Sequence, residues 1–393
     1  MRQCYRLTDV RCLGALPLLQ ELDLSDCPVT NDSVAALRNA RCLRKLRLQS
    51  CRAVTDVNFL SGLEQLAELD LHHTNIDEAG SVGLVHCAQL TSLILHSVRV
   101  HSLRQWNAAA FLPRLKRLDL SNTAVTSDAL SFVAFCPLLE TLTLRGCKSI
   151  TTVDFLLLYR SPGGGRRTRC GDGNISTRNT SREVEPHVAL ATVTIAVAAI
   201  ASAADDDTLP LLSSPPDLEN RHCLVELTLS DTAVTNNGLR ALKYCPGLER
   251  LRLSRCKKVT DVNVLRWLPQ LKELDLSTTS VTSHGLAKLS PKGNSQVHRM
   301  TEAGAAVSAA TIAITTAEED VTSTGLGCVA LEKLWLQSCQ EVRNVRVLCG
   351  FPVLQELFLT GTPVPRRELD IAVLYRGNPM LQKIHHSVAI TLA

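Results

Sequence analysis

Leucine recurs at a fixed spacing from one end of the chain to the other. The spacing is L-x-x-L-x-L, and in most copies Cys or Thr stands three positions after the last leucine. Apolar and polar positions alternate within each copy, which predicts a short β-strand with its leucines on one face and polar residues on the other. The first leucines of the copies are Leu19, Leu43, Leu66, Leu90, Leu115, Leu139, Leu224, Leu248, Leu271, Leu331 and Leu354, and a degenerate copy starts at Leu381.

Two types of copy alternate along the chain. The Cys type continues as V-T-D-V-x-x-L-x-x-L-P, as in Cys256–Pro269, and its short return to the next strand predicts an irregular or 3₁₀ turn. The Thr type continues as V-T-x-x-G-L-x-x-L-x-x-C-P, as in Thr232–Pro246. There, Leu239 and Leu242 follow a Thr-Asn capping signal at helical spacing, which predicts a short helix.

Repeating units of about 24 residues are the signature of leucine-rich repeats. A single unit cannot bury its own leucines, so neighbouring units must stack and share one continuous core. The sequence therefore predicts an α/β leucine-rich-repeat solenoid of about twelve repeats. A curved parallel sheet would line its concave side, and short helices and turns its convex side.

Two low-complexity insertions interrupt the alternation of copy types, at 161–220 and 290–325. Both are rich in small and hydroxyl-bearing residues, a composition that predicts disorder because it cannot fill a leucine core. Removing them restores the alternation, so we expect both to extend out of one continuous solenoid. The blocks of repeats are then 1–160, 221–289 and 326–393. Val321–Leu326, at the boundary between the second insertion and the next repeats, resembles Val281–Leu286, and either hexapeptide fits the return of that repeat.

Composition narrows the class of protein further. The formal net charge of +4 gives no strong case for nucleic-acid binding. Of the 15 cysteines, twelve recur at two repeat positions, one just after the strand and one just before the next strand, and no CxxC or zinc spacing occurs. We expect reduced, structural thiols in a reducing compartment, hence a cytoplasmic protein without metal or cofactor. The uncharged stretch Val188–Ala204 is at the short limit for a membrane span, and we expect none there.

The pattern C-x-x-V-T-D-V-x-x-L, as at Cys256–Leu265, resembles the cysteine-containing leucine-rich repeats of F-box substrate receptors of ubiquitin ligases. The paired repeats also resemble those of trypanosome adenylate-cyclase-regulatory proteins. The resemblance covers about 300 residues, the whole chain outside the insertions. It implies a repeat fold and protein binding, and the F-box resemblance implies substrate recognition.

Two surfaces are candidates for binding. Acidic and basic residues largely alternate from strand to strand on the concave side, which predicts a self-neutralised lattice of ion pairs. Trp335 and Phe358 interrupt it as an exposed aromatic pair, and aromatic residues are typical interface anchors. The second candidate is a basic edge in the turns after Cys-type strands. Its main residues are Arg145, Lys148, Arg255, Lys257 and Lys258.

His72 and His96 share one position in neighbouring copies, but the spacing favours a polar surface patch over a metal site. No nucleophile, phosphate loop or carboxylate dyad is apparent, so we expect no enzyme. We expect a non-catalytic protein-binding scaffold or regulatory subunit with a protein partner and no nucleic acid, membrane span or small-molecule ligand. Two alternatives stay open: a substrate-recognition subunit of an SCF-type ubiquitin ligase, and a surface or membrane-associated receptor.

Overall fold

In the part of the chain that the structure describes, twelve short parallel strands form a single sheet in the order in which they occur along the sequence. The computed structural model describes residues 1–100, 112–158, 223–291, 327–344, 346–364 and 371–386. The strands are β1 Glu21–Asp23, β2 Lys45–Arg47, β3 Glu68–Asp70, β4 Ser92–Ile94, β5 Arg117–Asp119, β6 Thr141–Thr143, β7 Glu226–Thr228, β8 Arg250–Arg252, β9 Glu273–Asp275, β10 Lys333–Trp335, β11 Glu356–Phe358 and β12 Lys383–His385. Each lies at the predicted position in its copy, so the leucine-rich-repeat solenoid is confirmed.

The returns between the strands are mainly 3₁₀ helices. Those of the Cys type are short, as predicted, at Arg11–Ala15, Asn58–Gly62, Asp154–Leu158, Asn263–Trp267 and Arg346–Leu348. The predicted helices of the Thr type are present but are also 3₁₀, at Ala79–His86, Asp128–Phe135 and Asn237–Tyr244. Three returns contain short α-helices: α1 Asn31–Val34, which continues as a 3₁₀ helix over Ala35–Asn39, α2 Ser283–Leu286 and α3 Ile371–Gly377.

The core is a stack of leucine layers that runs the length of the sheet. The middle leucines of neighbouring strands are in register, as in Leu22 with Leu46 and Leu46 with Leu69. Nearly all the repeat leucines are fully buried, and so are the valines and leucines of the returns behind them. Burying such a side chain contributes roughly 1.5–3 kcal/mol, so the free energy of folding comes from stacking rather than from any single repeat.

Hydrogen bonds to one carbonyl explain the alternation of Thr and Cys. In the Thr-type copy, the Thr123 hydroxyl donates to the Leu120 carbonyl of its own turn at 2.6 Å. The Cys147 thiol of the next copy donates to the same oxygen at 3.1 Å. Thr232 and Cys256 repeat the arrangement on Leu229, at 2.7 and 3.0 Å. A carbonyl oxygen has two lone pairs, so one Thr and one Cys together satisfy it, and the structural unit is a pair of copies.

A glycine allows the Thr-type return to contact the copy before it. A Cβ added to Gly238 would lie 2.1 Å from the carbonyl oxygen of Thr151. The Gly238 carbonyl instead accepts the Val153 amide at 2.8 Å. Gly80 and Gly285 make the same close approach to Thr55 and Thr260. Glycine therefore belongs to the repeat pattern because the convex layers touch through backbone atoms.

Polar side chains join the convex returns in a second ladder. The Asn236 side-chain carbonyl accepts the amides of Thr260 at 2.9 Å and Asp261 at 3.2 Å. Asn31 and Ser127 accept the equivalent amides in their repeats. Because the same side chain serves two backbone donors, each Thr-type return fixes the start of the Cys-type return that follows it.

The solenoid is continuous across both insertions. Leu142 of β6 is in register with Leu227 of β7, and Leu274 of β9 with Leu334 of β10. The hexapeptide Val281–Leu286 supplies the return after β9, since α2 begins at Ser283 and its Thr282 hydroxyl caps Gly285 at 3.0 Å. The insertions themselves lie outside the described residues, apart from positions 290 and 291. So do the competing hexapeptide at 321–326 and the uncharged stretch at 188–204.

Among the residues that the structure describes, no helix has the length and apolar character that crossing a bilayer requires.

Candidate protein-binding surface

The predicted charge lattice is present on the concave side in three groups of strands. Lys45 lies between Glu21 and Glu68, with nitrogen–oxygen distances of 3.5 and 3.4 Å. Glu226 forms ion pairs with both Arg250, at 3.1 Å, and Arg252. Further pairs across the strands include Arg47 with Asp23 and Lys333 with Glu356. Such partly exposed pairs contribute about 0.2–1 kcal/mol each, so they set the order of repeats more than they stabilise the fold.

Aspartates that end a strand of the lattice also accept a hydrogen bond from the turn that follows. The Asp23 carboxylate accepts the Ser25 amide at 2.9 Å, and Asp119 accepts the Ser121 amide at 2.8 Å. Asp275 does the same for Ser277 at 2.9 Å. These bonds bend the chain into the turn that follows. Folding therefore explains a large part of the charged pattern on the strands. The positions that depart from this pattern are the better candidates for binding.

An aromatic stack breaks the lattice on β10 to β12. Trp335 and Phe358 are in register, with ring centroids 5.2 Å apart and planes inclined by 10°. His385 continues the stack from β12, with its centroid 4.2 Å from that of Phe358 and an interplanar angle of 3°. The aromatic pair was predicted to be exposed, but both rings are half-buried because stacked faces shield each other. We call Trp335, Phe358 and His385 the aromatic stack.

His385 was missed because its copy is degenerate. The middle leucine of the strand is replaced there by Ile384, yet the register continues from Phe358 to His385. The imidazole Nε2 also lies 3.7 Å from a carboxylate oxygen of Glu356. Extending the row of outward-facing positions by one more copy would have identified this residue from the sequence.

The basic edge lies in the turns that follow β6 and β8. All five predicted side chains are exposed there: Arg145, Lys148, Arg255, Lys257 and Lys258. The strand order places the two turns on either side of the turn after β7. That intervening turn carries Asp231, whose carboxylate pairs with the Lys148 amine. The structure thus brings the five residues to one edge but apart from the aromatic stack, which begins two strands beyond β8.

Three histidines form a cluster at the end of β3 and β4. The ring centroids of His72, His73 and His96 are 5.2 to 6.2 Å apart. The His72 Nδ1 lies 2.7 Å from the Asp70 carboxylate, and the His96 Nε2 lies 3.2 Å from the Asn122 amide. Among the described residues, no three His, Cys, Asp or Glu side chains have the arrangement of a metal site. The three imidazoles, with Asp70 and Asn122 beside them, form a polar patch.

Burial lowers the pKa of His96 below its ordinary value of 6.5. Asp119 opposes this by raising the pKa, whereas His73, His72 and Arg145 lower it further. The fold thus favours the neutral His96 ring. Its contribution to the free energy of unfolding is fully present above pH 6.5 and is lost as the pH falls through the lowered pKa. We expect the melting temperature to fall between pH 7.5 and pH 5.5, and to fall less in a His96→Gln variant.

Differential scanning fluorimetry at the two pH values measures this effect. His284→Gln is the matched control, because His284 is exposed at the start of the helical return after β9. An equal reduction of the pH effect in both variants would contradict the assignment to His96.

The buried thiols are poor nucleophiles. Burial raises the pKa of Cys51 to about 11 and the pKa values of Cys87, Cys136 and Cys245 to about 12. Only the thiolate is reactive, so these cysteines are inert near neutral pH. All four lie buried in the core, and the thiols of Cys51, Cys87 and Cys136 also donate to backbone carbonyls, which makes them structural residues.

Comparisons with known proteins agree with this fold. A leucine-rich-repeat family model matches residues 15–37. No curated protein sequence gives a significant match. Among solved structures, an internalin (inlF) from Listeria monocytogenes has a TM-score of 0.57 at 17% identity, covering 97% of this chain and 77% of that one. The ectodomain of the Arabidopsis thaliana receptor kinase GASSHO1/SCHENGEN3 has a TM-score of 0.48 at 17% identity, covering 93% of this chain and 35% of that one.

The repeat pattern, the single parallel sheet and the internalin comparison agree on the fold. The part of the chain that the structure describes is a leucine-rich-repeat solenoid, and a leucine-rich-repeat family model matches one of its repeats. At 17% identity the likeness to the internalin concerns the fold.

Proposed function

We propose that this protein is a non-catalytic scaffold or regulatory subunit that holds a protein partner on its concave sheet. The observation that carries the proposal is the aromatic stack. Most outward positions of the strands bear charges that pair with each other or hydroxyls, whereas Trp335, Phe358 and His385 present adjoining aromatic rings on neighbouring strands. Aromatic side chains bury a large area at low entropic cost, which makes them common binding anchors.

The surroundings of the stack suit a binding anchor. Glu356 lies two residues before Phe358 on β11, and its carboxylate is 3.6 Å from the Lys333 amine and 3.7 Å from the His385 ring. A polar rim around aromatic anchors is the usual anatomy of a protein interface. The backbone below is fixed by the parallel ladder of β10 to β12, so little ordering would accompany binding.

A finer candidate function is substrate recognition in an SCF-type ubiquitin ligase. It is favoured by the sequence of the Cys-type repeats, such as Cys256–Leu265, which resembles the repeats of F-box substrate receptors. We further propose a cytoplasmic location, which the many buried, structurally used thiols support, since a reducing compartment keeps them intact.

Quantitative affinity capture tests both proposals. The full-length protein is compared with a Trp335→Ala/Phe358→Ala double variant, and Glu273→Lys serves as a surface control within the lattice. We expect at least one protein to be captured by the wild type and the control but not by the double variant. Co-capture of a ligase adaptor with the wild type supports the ligase function, and its absence contradicts that function while leaving the scaffold proposal standing. Identical captured sets from all three proteins contradict the scaffold proposal at this surface.

A further inference from the structure

A strong local charge excess lies on the edge of the solenoid at β6 to β8. The turns at 144–149, 229–233 and 253–258 contain the five cations of the basic edge and one carboxylate, Asp231. This excess equals the formal net charge of the whole chain, +4. The formal charges of the rest of the molecule therefore sum to zero. We call Arg145, Lys148, Arg255, Lys257 and Lys258 the basic rim.

The backbone of the basic rim is held by hydrogen bonds from turn to turn. The Arg145 carbonyl accepts the Asn122 amide at 2.7 Å, and the Gly146 amide donates to Ser230 at 2.8 Å. The chain of bonds continues from Asp231 to Ser254 at 2.7 Å and from the Arg255 amide to Ser277 at 2.8 Å. Neighbouring strands are about 4.8 Å apart, so the turns after β6 and β8 present their cations roughly 10 Å from each other on a fixed frame.

The cations of the basic rim are not neutralised as those of the strands are. Of the five cations of the basic rim, only Lys148 forms an ion pair among the residues that the structure describes, and its partner is Asp231. On the strands, by contrast, Arg250 and Arg252 share Glu226, and Lys333 pairs with Glu356. Repeat packing therefore accounts for many of the charges on the concave side, whereas four exposed cations of the rim have no ion-pair partner within the described ranges of the chain.

We propose that the basic rim is a second binding surface, which takes an acidic segment of a protein partner, with clustered carboxylate or phosphate groups. Arginine donates two parallel hydrogen bonds to either group, and Arg145 and Arg255 occupy the outer turns of the rim. The lysines add exposed positive charge beside them. A protein segment fits better than nucleic acid, because the three turns contain no aromatic residue on which a base would stack. The proposal is independent of the aromatic stack.

A labelled hexaglutamate peptide is the probe, and its binding to the full-length protein is measured by fluorescence anisotropy. Arg145→Glu/Arg255→Glu reverses two rim charges. The matched control, Arg240→Glu/Lys288→Glu, makes the same change of net charge at exposed positions in the returns after β7 and β9. We expect the rim variant to bind the peptide at least about tenfold more weakly. The control should remain within about twofold of the wild type, because exposed charges farther than a Debye length are screened.

Several outcomes would overturn the proposal. One is an equal loss in the rim variant and the control, which would show only long-range attraction. Another is absence of peptide binding by the wild type together with tight binding of a thymidine oligonucleotide, which would make the rim a nucleic-acid surface. Trp335→Ala should leave peptide affinity unchanged, so failure of this surface is distinguishable from failure of the concave one. Equal melting temperatures of both charge variants exclude loss of folding as the cause.

Discussion

Gly238→Val is expected to lower the free energy of unfolding by about 3 kcal/mol, near the upper end for overpacking. The added Cβ would lie 2.1 Å from the Thr151 carbonyl oxygen and 2.9 Å from the Thr152 Cα, and neither backbone atom can move without disturbing its own bonds. The Gly238 carbonyl would also lose its 2.8 Å bond from Val153. This contact joins the repeats before and after the first insertion, so the variant disrupts the solenoid at its middle.

Denaturant unfolding followed by circular dichroism measures the effect. Asn237→Val is the matched control, because Asn237 is the exposed neighbour of Gly238 in the same 3₁₀ helix. The control should change the free energy of unfolding by less than about 0.5 kcal/mol. Equal stability of the two variants would show that the repeats on either side of the first insertion do not pack on each other.

Leu274→Ala is expected to cost about 2–5 kcal/mol, as large-to-small changes in a packed core do. Leu274 is fully buried, and its strand lies between β8 and β10, in register with Leu251 and Leu334. The substitution leaves a cavity in a layer that spans the second insertion. The loss therefore reports on packing between segments that are distant in the sequence.

Leu138→Ala supplies the matched comparison by denaturant unfolding, since Leu138 has 43% of its surface exposed. We expect this control to lose less than about 1 kcal/mol. If Leu274→Ala were as mild as the control, β10 would not pack on β9, and the repeats beyond the second insertion would form a separate unit.

The strands were predictable because one leucine spacing determines them. Every copy from Leu19 to Leu381 places the alternating segment at the same offset, and the structure has a strand at each. The order of strands across the insertions also followed, because Cys-type and Thr-type copies must alternate. The carbonyl shared by Thr123 and Cys147 supplies the physical reason for that alternation, which a sequence pattern does not contain.

The helical returns show where the sequence was insufficient. Leu239 and Leu242 correctly predict a helical segment, but the spacing does not distinguish an α-helix from a 3₁₀ helix. Gly238 and Gly285 touch the preceding repeat in the same way, yet the first lies in a 3₁₀ helix and the second in the α-helix α2. The repeated pattern therefore predicts a helical return and its glycine contact, but not which of the two helix types forms.

The candidate surfaces were only partly predictable. Trp335 and Phe358 were identified because they differ from the charged residues at equivalent positions. Their stacking with His385 and their half-buried state depend on the direction of side chains, which register alone does not give. For the basic rim, the sequence predicted an interrupted row of cations. The ion pair between Lys148 and Asp231 appears only when the turn after β7 is placed between the other two.

The central claim, that the concave aromatic stack anchors a protein partner, is tested most directly by measuring affinity and stability on the same variants. Calorimetric titration of the captured partner into Trp335→Ala and Phe358→Ala should show a loss of at least about 1 kcal/mol for each, as interface anchors do. Their melting temperatures should stay near that of the wild type, because both side chains point away from the leucine layers. Unfolding of these variants, with unchanged affinity per folded molecule, would contradict the claim and make the aromatic stack a structural cap.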